Sequence, residues 1–218
     1  MKQLAIFDLD GTLLNTIDDL GMATNYALGR AGYPTHPIES YPMMVGNGVR
    51  RLIERALPSE NRDEATVTSL LADFREYYDA HLWDLSKPYE GIVDLLAALT
   101  ERGVAVAVAS NKYESAVRRL VEHFFGQTPF AAVCGNIDGV PTKPDPSIVF
   151  RILSERPTPK ADIMYIGDSA VDMETARRAG VESIGVSWGF RPVRELTAAY
   201  ADHIADTAAE VLKLITQE

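Results

Sequence analysis

One cysteine, four histidines and no run of basic residues are the scarcities that say most about this 218-residue chain. A lone thiol, Cys134, excludes an intrachain disulfide and suits a reducing compartment, with a structural place on a buried strand. His36, His81, His123 and His203 stand at no spacing that would gather them around one ion, so zinc is not suggested. Basic residues number 21 against 31 acidic ones, a formal net charge of -10. Without a Lys/Arg stripe to follow a phosphodiester backbone, extended nucleic acid is not an expected partner. Long apolar runs are also missing. Residues 1–7 meet Asp8 too soon for a signal peptide, and no stretch approaches membrane-spanning length. The expectation is a cytoplasmic protein with no membrane partner. With 46% hydrophobic and 24% charged residues, the composition excludes a disordered or fibrous chain. The length allows one large domain, or a core with a smaller companion.

Short apolar, β-branched-rich runs at 4–7, 104–109, 131–134, 163–166 and 182–186 alternate with helical patterns. Such alternation predicts an α/β fold, a parallel sheet covered by helices. Gly103 and Gly180 follow helical stretches as fitting C-terminal stops. One interval breaks the rhythm: residues 15–85 read as helical throughout. Thr16 is placed to cap a helix reaching Gly32, Val49, Leu52, Ile53, Ala56 and Leu57 share a helical face, and Val67, Leu70, Leu71 and Phe74 share another. An inserted helical bundle is expected over 15–85, with the remaining core formed by 1–14 and 86–218. Its connections lie near the C-terminal end of the first strand, where open α/β sheets bind ligands and where an insertion can act as a lid. The tail adds a short strand at His203 and Ile204 and a last helix capped by Thr207.

Four clusters carry chemistry. After the first strand come Asp8, Leu9, Asp10, Gly11 and Thr12. Residues two apart in an extended chain share a face, so the two carboxylates can converge. At about 4 Å they repel by about 4 kcal/mol for an effective dielectric of about 20, a cost that a bound cation would relieve; a solvated turn is the plain alternative. Gly167, Asp168, Ser169 and Asp172 follow another strand and open a helix. Asp168 is also a natural N-cap and Asp172 a natural first-turn acid, although together they offer oxygen ligands to a hard ion such as Mg²⁺. Ser110 and Asn111, at a strand-to-helix junction, could offer a hydroxyl and amides to a phosphate, while Asn111 with Glu114 also makes a capping box. Lys143, between Thr142 and Pro144, is either a solvated loop cation or the positive centre that a phosphate site in so acidic a chain requires.

Taken in order, Asp8-Leu9-Asp10-Gly11-Thr12, Ser110-Asn111, Lys143-Pro144 and Gly167-Asp168-Ser169 with Asp172 resemble the four motifs of the haloacid dehalogenase superfamily. The resemblance spans almost the whole chain. It implies a Rossmann-like core with a helical cap inserted after the first motif, and a Mg²⁺-dependent phosphatase acting through an aspartyl-phosphate. Under it, Asp8 is the nucleophile and a metal ligand, Asp10 the general acid/base and a ligand through its carbonyl, Asp168 a further ligand, and Asp172 a support for the metal. Ser110, Asn111 and Lys143 would hold the phosphoryl oxygens. Asn15 departs from the pattern, standing where relatives commonly have Asp. Within the superfamily, Val45-Gly46-Asn47-Gly48 with the helix after it, and Gly185-Val186-Ser187-Trp188-Gly189, look like phosphoglycolate phosphatases. That makes Gly46, Asn47, Gly48, Arg50 and Arg51 candidates for substrate specificity, with either arginine able to meet a carboxylate. The expected partner is a small phosphorylated metabolite, and the sequence sets no oligomeric state. Two alternatives remain: a sugar phosphomutase with the same nucleophile, and a receiver-like phosphorylation switch, which the insertion and Asp10 disfavour.

Overall fold

The computed structural model describes residues 1–217. Its strands are β1 (Leu4–Phe7), β2 (Leu14–Asn15), β3 (Lys87–Pro88), β4 (Ala105–Tyr113), β5 (Ala132–Asn136), β6 (Ile163–Gly167), β7 (Glu182–Val186) and β8 (His203–Ala205). Six of them form one parallel sheet in the order β5-β4-β1-β6-β7-β8. The central β1 is apolar at every position and fully buried, as a strand covered on both faces must be.

Between β2 and β3 the chain is helical: α1 (Ile17–Arg30), α2 (Val49–Ala56) and α3 (Glu64–Ala80), with 3₁₀ turns at Ile38–Met43 and Ser59–Asn61. The two short strands, which the sequence patterns did not disclose, pair antiparallel as the outgoing and returning stems of this insertion. Two residues are too few to show alternation, and a proline ends the second. Asp19 fastens the stems. Buried in the first turn of α1, it accepts from the backbone N–H groups of Leu85 and Ser86 and from the Ser86 hydroxyl at 2.6 Å.

The remaining helices are α4 (Ile92–Glu101), α5 (Glu114–Phe125), α6 (Ser147–Glu155), α7 (Ala170–Ala179), α8 (Val193–Ala198) and α9 (Ala208–Thr216). Alternate strand residues divide the core in two. Ala5, Phe7, Val106 and Val108 join the apolar faces of α4, α5, α9 and the insertion. Leu4, Ile6, Ala107 and Tyr165 join α6 and α7 on the other face. The α/β architecture with a helical insertion therefore stands as expected.

Register then positions the chemistry. Phe7 is level with Val108 on one side and Ile166 on the other, so the next residue along, Asp8, emerges between the second half of β4 and the end of β6. The Asp8 backbone N–H still donates to the Ile166 carbonyl, at 2.8 Å.

Candidate active site

Asp8, Lys143, Asp168 and Asp172 form the floor of a cleft that is partly open to solvent. All four are buried. The Lys143 ammonium donates to Asp8 Oδ1 and Asp172 Oδ1, each at 2.8 Å, and to the Ala109 carbonyl at 2.9 Å. Asp172 Oδ2 accepts from the Ser169 backbone N–H and hydroxyl in a reciprocal capping box at the start of α7. Asp168 Oδ2 accepts from the Phe190 backbone N–H at 2.7 Å. Gly11 makes this approach possible: at φ +90°, an added Cβ would lie 2.2 Å from Asp168 Oδ2.

Oxygens of Asp8, Asp168 and Asp172 all lie within 4.8 Å of one another. Three carboxylates against Lys143 leave a formal excess of two negative charges in a water-poor site. Burial pushes the Asp8 carboxyl up to about 7; Lys143 works against that rise, and Asp172 and Asp10 add to it. Burial, and then the charges of Asp172 and Asp8, likewise hold Asp168 well above the ordinary carboxylate range. Lys143 is driven the other way from what burial alone would do, because Asp172 and Asp8 keep its ammonium charged well past the usual lysine range. An oxygen-only donor set with surplus negative charge fits a hard divalent cation.

Asp10 sits apart from this cluster, toward the insertion. Its Oδ1 accepts from the Thr16 hydroxyl at 2.6 Å and pairs with Lys112 Nζ at 3.0 Å. Lys112 also donates to the Tyr78 hydroxyl of α3 at 2.8 Å, with its ammonium 4.7 Å from that ring's centroid. From the loop after β7, Arg191 reaches the Val45 carbonyl at 2.9 Å. Leu20, Val45, Gly46, Leu52 and Phe74 supply a mainly apolar roof. A charged floor thus faces an apolar cover.

Residues 5–186 match the family model of the haloacid dehalogenase-like hydrolases. The chain belongs to that family. Among its relatives, this hydrolase is 30% identical over 215 residues to the phosphoglycolate phosphatase of Thiobacillus denitrificans, covering 97% of this chain and 95% of that one. It is 34% identical over 196 residues to the phosphoglycolate phosphatase of Agrobacterium fabrum, covering 88% and 84%. A crystal structure from Lactobacillus delbrueckii subsp. bulgaricus, provisionally assigned as a phosphoglycolate phosphatase, superposes with a TM-score of 0.93 at 34% identity, over 99% of each chain. A predicted phosphoglycolate phosphatase from Haemophilus somnus gives 0.89 at 26%, over 98% and 97%. The enzyme class follows: a phosphatase, that is, a phosphoric monoester hydrolase, of this family. Among the described residues no helix is long and apolar enough to cross a membrane.

Not every expected residue of the hydrolase sits as its local pattern suggested. Asp168 precedes α7 instead of lying within it, and Ser169 is the N-cap; Asp168 and Asp172 converge because a strand end feeds that cap. Ser110 and Asn111 belong to the extended end of β4, since α5 begins only at Glu114. The Asn111–Glu114 capping box is accordingly not formed. Glu114 instead accepts from Arg118 and Arg151. The Asn111 amide donates to the Gly46 and Lys143 carbonyls and accepts from the Lys143 N–H, tying the lysine loop to the insertion. Thr16 lends Asp10 its hydroxyl in place of capping α1. Asn15 Oδ1 accepts only a long bond, 3.4 Å, from the Ile17 N–H.

Gly46 and Gly48 line the cleft, whereas Asn47, Arg50 and Arg51 do not. Arg50 pairs with Glu54 and Glu64, Arg51 pairs with Glu54, and Asn47 accepts from Arg55, all toward solvent. Helix periodicity explains it: Leu52, Ile53 and Ala56 take the buried face of α2, which turns the two arginines outward. Among the described residues, the cations that do line the cleft besides Lys143 are Lys112 and Arg191. Lys112 directly follows the Ser110-Asn111 motif, a signal that was available. Arg191 carried none, because its position depends on how the loop after β7 folds over Asp168.

Proposed function

We propose that this phosphatase hydrolyses small phosphate monoesters, phosphoglycolate foremost, through a phosphoaspartate on Asp8 and with Mg²⁺ as cofactor. The observation that carries the proposal is the buried excess of negative charge around Asp8 at the bottom of a small, roofed cleft. Asp8 and Asp168 would hold the ion, joined by the Asp10 carbonyl. Asp172, whose oxygens are engaged by Lys143 and Ser169, would support it from behind. The ion supplies positive charge that offsets repulsion between a carboxylate and a phosphate dianion.

The remaining chemistry belongs to the chain. An Asp8 oxygen attacks phosphorus, the bond from phosphorus to the leaving oxygen breaks, and Asp10 gives its proton to the departing alkoxide. Water then attacks phosphorus and yields its proton to Asp10; the bond to Asp8 breaks and inorganic phosphate leaves. Lys143 keeps positive charge against Asp8 throughout, and Ser110 faces the phosphoryl oxygens. Asn111 holds the Lys143 backbone in place. Residues 15–85 act as a cap that excludes water, hinged at the paired stems β2 and β3. Similarity to two phosphoglycolate phosphatases over most of both chains supports the choice of substrate.

A phosphate-release screen over small monoesters, with and without Mg²⁺, tests the proposal. Intact protein with Mg²⁺ should turn over phosphoglycolate fastest, and Asp8→Asn should lose at least about a thousandfold. Equal rates for the two proteins would remove Asp8 from its role. Dependence on a sugar bisphosphate activator would point to a phosphomutase.

A further inference from the structure

Among the described residues three cationic side chains line the cleft, Lys143, Lys112 and Arg191, and they are not equivalent. Lys143 has given all three ammonium hydrogens to Asp8, Asp172 and the Ala109 carbonyl. Lys112 has two acceptors, Asp10 and the Tyr78 hydroxyl, which leaves a hydrogen for a third. Arg191 is largely buried, and its close acceptors are the uncharged Val45 carbonyl at 2.9 Å and Met43 Sδ at 3.1 Å. Its pairing with Glu195 is long, at 3.8 Å. A guanidinium withdrawn from water and met chiefly by neutral groups is suited to an anion from outside the protein.

Their location says which part of a substrate would supply that anion. Lys112 and Arg191 both extend from the core to the insertion, one touching α3 and the other the segment before α2. They therefore flank the roof. In an in-line displacement the leaving group departs opposite the attacking Asp8 oxygen, away from the floor and toward these two side chains. A neutral alcohol would leave Arg191 with its neutral partners and the remaining Lys112 hydrogen without a charged acceptor beneath Leu20, Leu52 and Phe74; a carboxylate would take charge-assisted hydrogen bonds from both.

We propose that Lys112 and Arg191 form the leaving-group subsite and select phosphate monoesters whose alcohol bears a carboxylate. The proposal rests on the phosphatase reading of the same cleft and assigns its specificity to two residues of the core. The experiment compares kcat/KM for phosphoglycolate with that for 2-hydroxyethyl phosphate, in which a hydroxymethyl group replaces the carboxylate. Intact protein should favour phosphoglycolate by at least about a hundredfold. Lys112→Gln and Arg191→Gln should each reduce that ratio at least about tenfold, chiefly through KM for phosphoglycolate, and Arg191→Lys should restore part of it. On the intact protein alone, glycolate should inhibit competitively and ethylene glycol should not. The proposal is overturned if intact protein shows no preference between the esters. It is equally overturned if both variants, folded by circular dichroism, slow the two esters in equal proportion, the signature of residues that only hold Asp10 or the roof. Failure of intact protein to hydrolyse any monoester would instead bring down the phosphatase reading itself.

Discussion

The floor and the roof of the cleft are built on opposite plans. Below, each charged group is fixed by a named partner: Lys143 by two carboxylates and a carbonyl, Asp172 by its capping box, Asp168 by the Phe190 N–H. Above, the insertion offers mostly apolar side chains to the cleft and meets the core through single contacts around its rim: Asn111 to Gly46, Lys112 to Tyr78, Arg191 to Val45, Tyr113 and Arg119 to Asp79, and His123 stacked on Trp83. A floor so determined can hold reacting groups at fixed separations, which is where preorganisation matters most. On the proposed function, contacts of this single, rim-placed kind are the ones that would part and re-form as the roof opens for substrate and closes on it.

Breaking the floor should have the largest effect. Lys143→Met leaves Asp8 and Asp172 buried without their shared cation, and removing one member of a buried ion pair costs about 3–5 kcal/mol. Urea unfolding should show that loss, and phosphate release should fall to background. Retained activity would mean that the lysine is dispensable to the floor. Next comes Gly11→Ala, which sets a methyl against Asp168 at a backbone angle disfavoured for any other residue. Activity should drop at least about a hundredfold with a stability loss of about 1–3 kcal/mol, and a normal Mg²⁺ titration of this variant would contradict the close approach.

A pH series sharpens the contrast further. Asp8 has its folded pKa raised above its unfolded value of 3.8, to about 7. The folded state therefore holds a proton that the unfolded chain has already released, and this contribution to stability is present at low pH and lost as pH rises through about 7. Asp168 acts in the same direction. A cation binds the ionised carboxylates, so the rise in Tm on adding Mg²⁺ should grow from pH 5 to pH 8. A rise independent of pH would separate the metal from these carboxylates. The smallest effects belong to the outer surface of the insertion: Arg50→Ala and Arg51→Ala remove exposed pairs and should change stability by about 0–1 kcal/mol and kcat/KM less than about twofold. A large KM effect from either would return these arginines to the substrate.

The difference in legibility follows the same division. Asp8 could be read because the strand before it determines where its carboxylate emerges, but the period-two face ends with that strand at Phe7, so Asp10 does not join Asp8 and turns to Thr16 and Lys112 instead. Asp168 was legible as a strand-end acid, although Ser169 takes the N-cap position that Asp168 was offered for, and the turn into Ser169 is what brings Asp168 against Asp172. Arg50 and Arg51 attracted attention by their charge, but the buried face of α2 decided their direction. Tyr78 gave the opposite problem, since a tyrosine at an apolar helical position looks like any core residue until its hydroxyl is found against Lys112.

By itself, the sequence determined the alternation that makes a parallel sheet, the interruption that makes the insertion, the acids after two of the strands and the lysine in the loop before α6. Those depend on local periodicity and on residues a few positions apart. Only the tertiary structure decided which side chains meet over the cleft. Lys112 finds Tyr78 across 34 positions and Arg191 finds Val45 across 146, and contacts at such separations are fixed by how helices and loops pack, for which a linear pattern carries no signal.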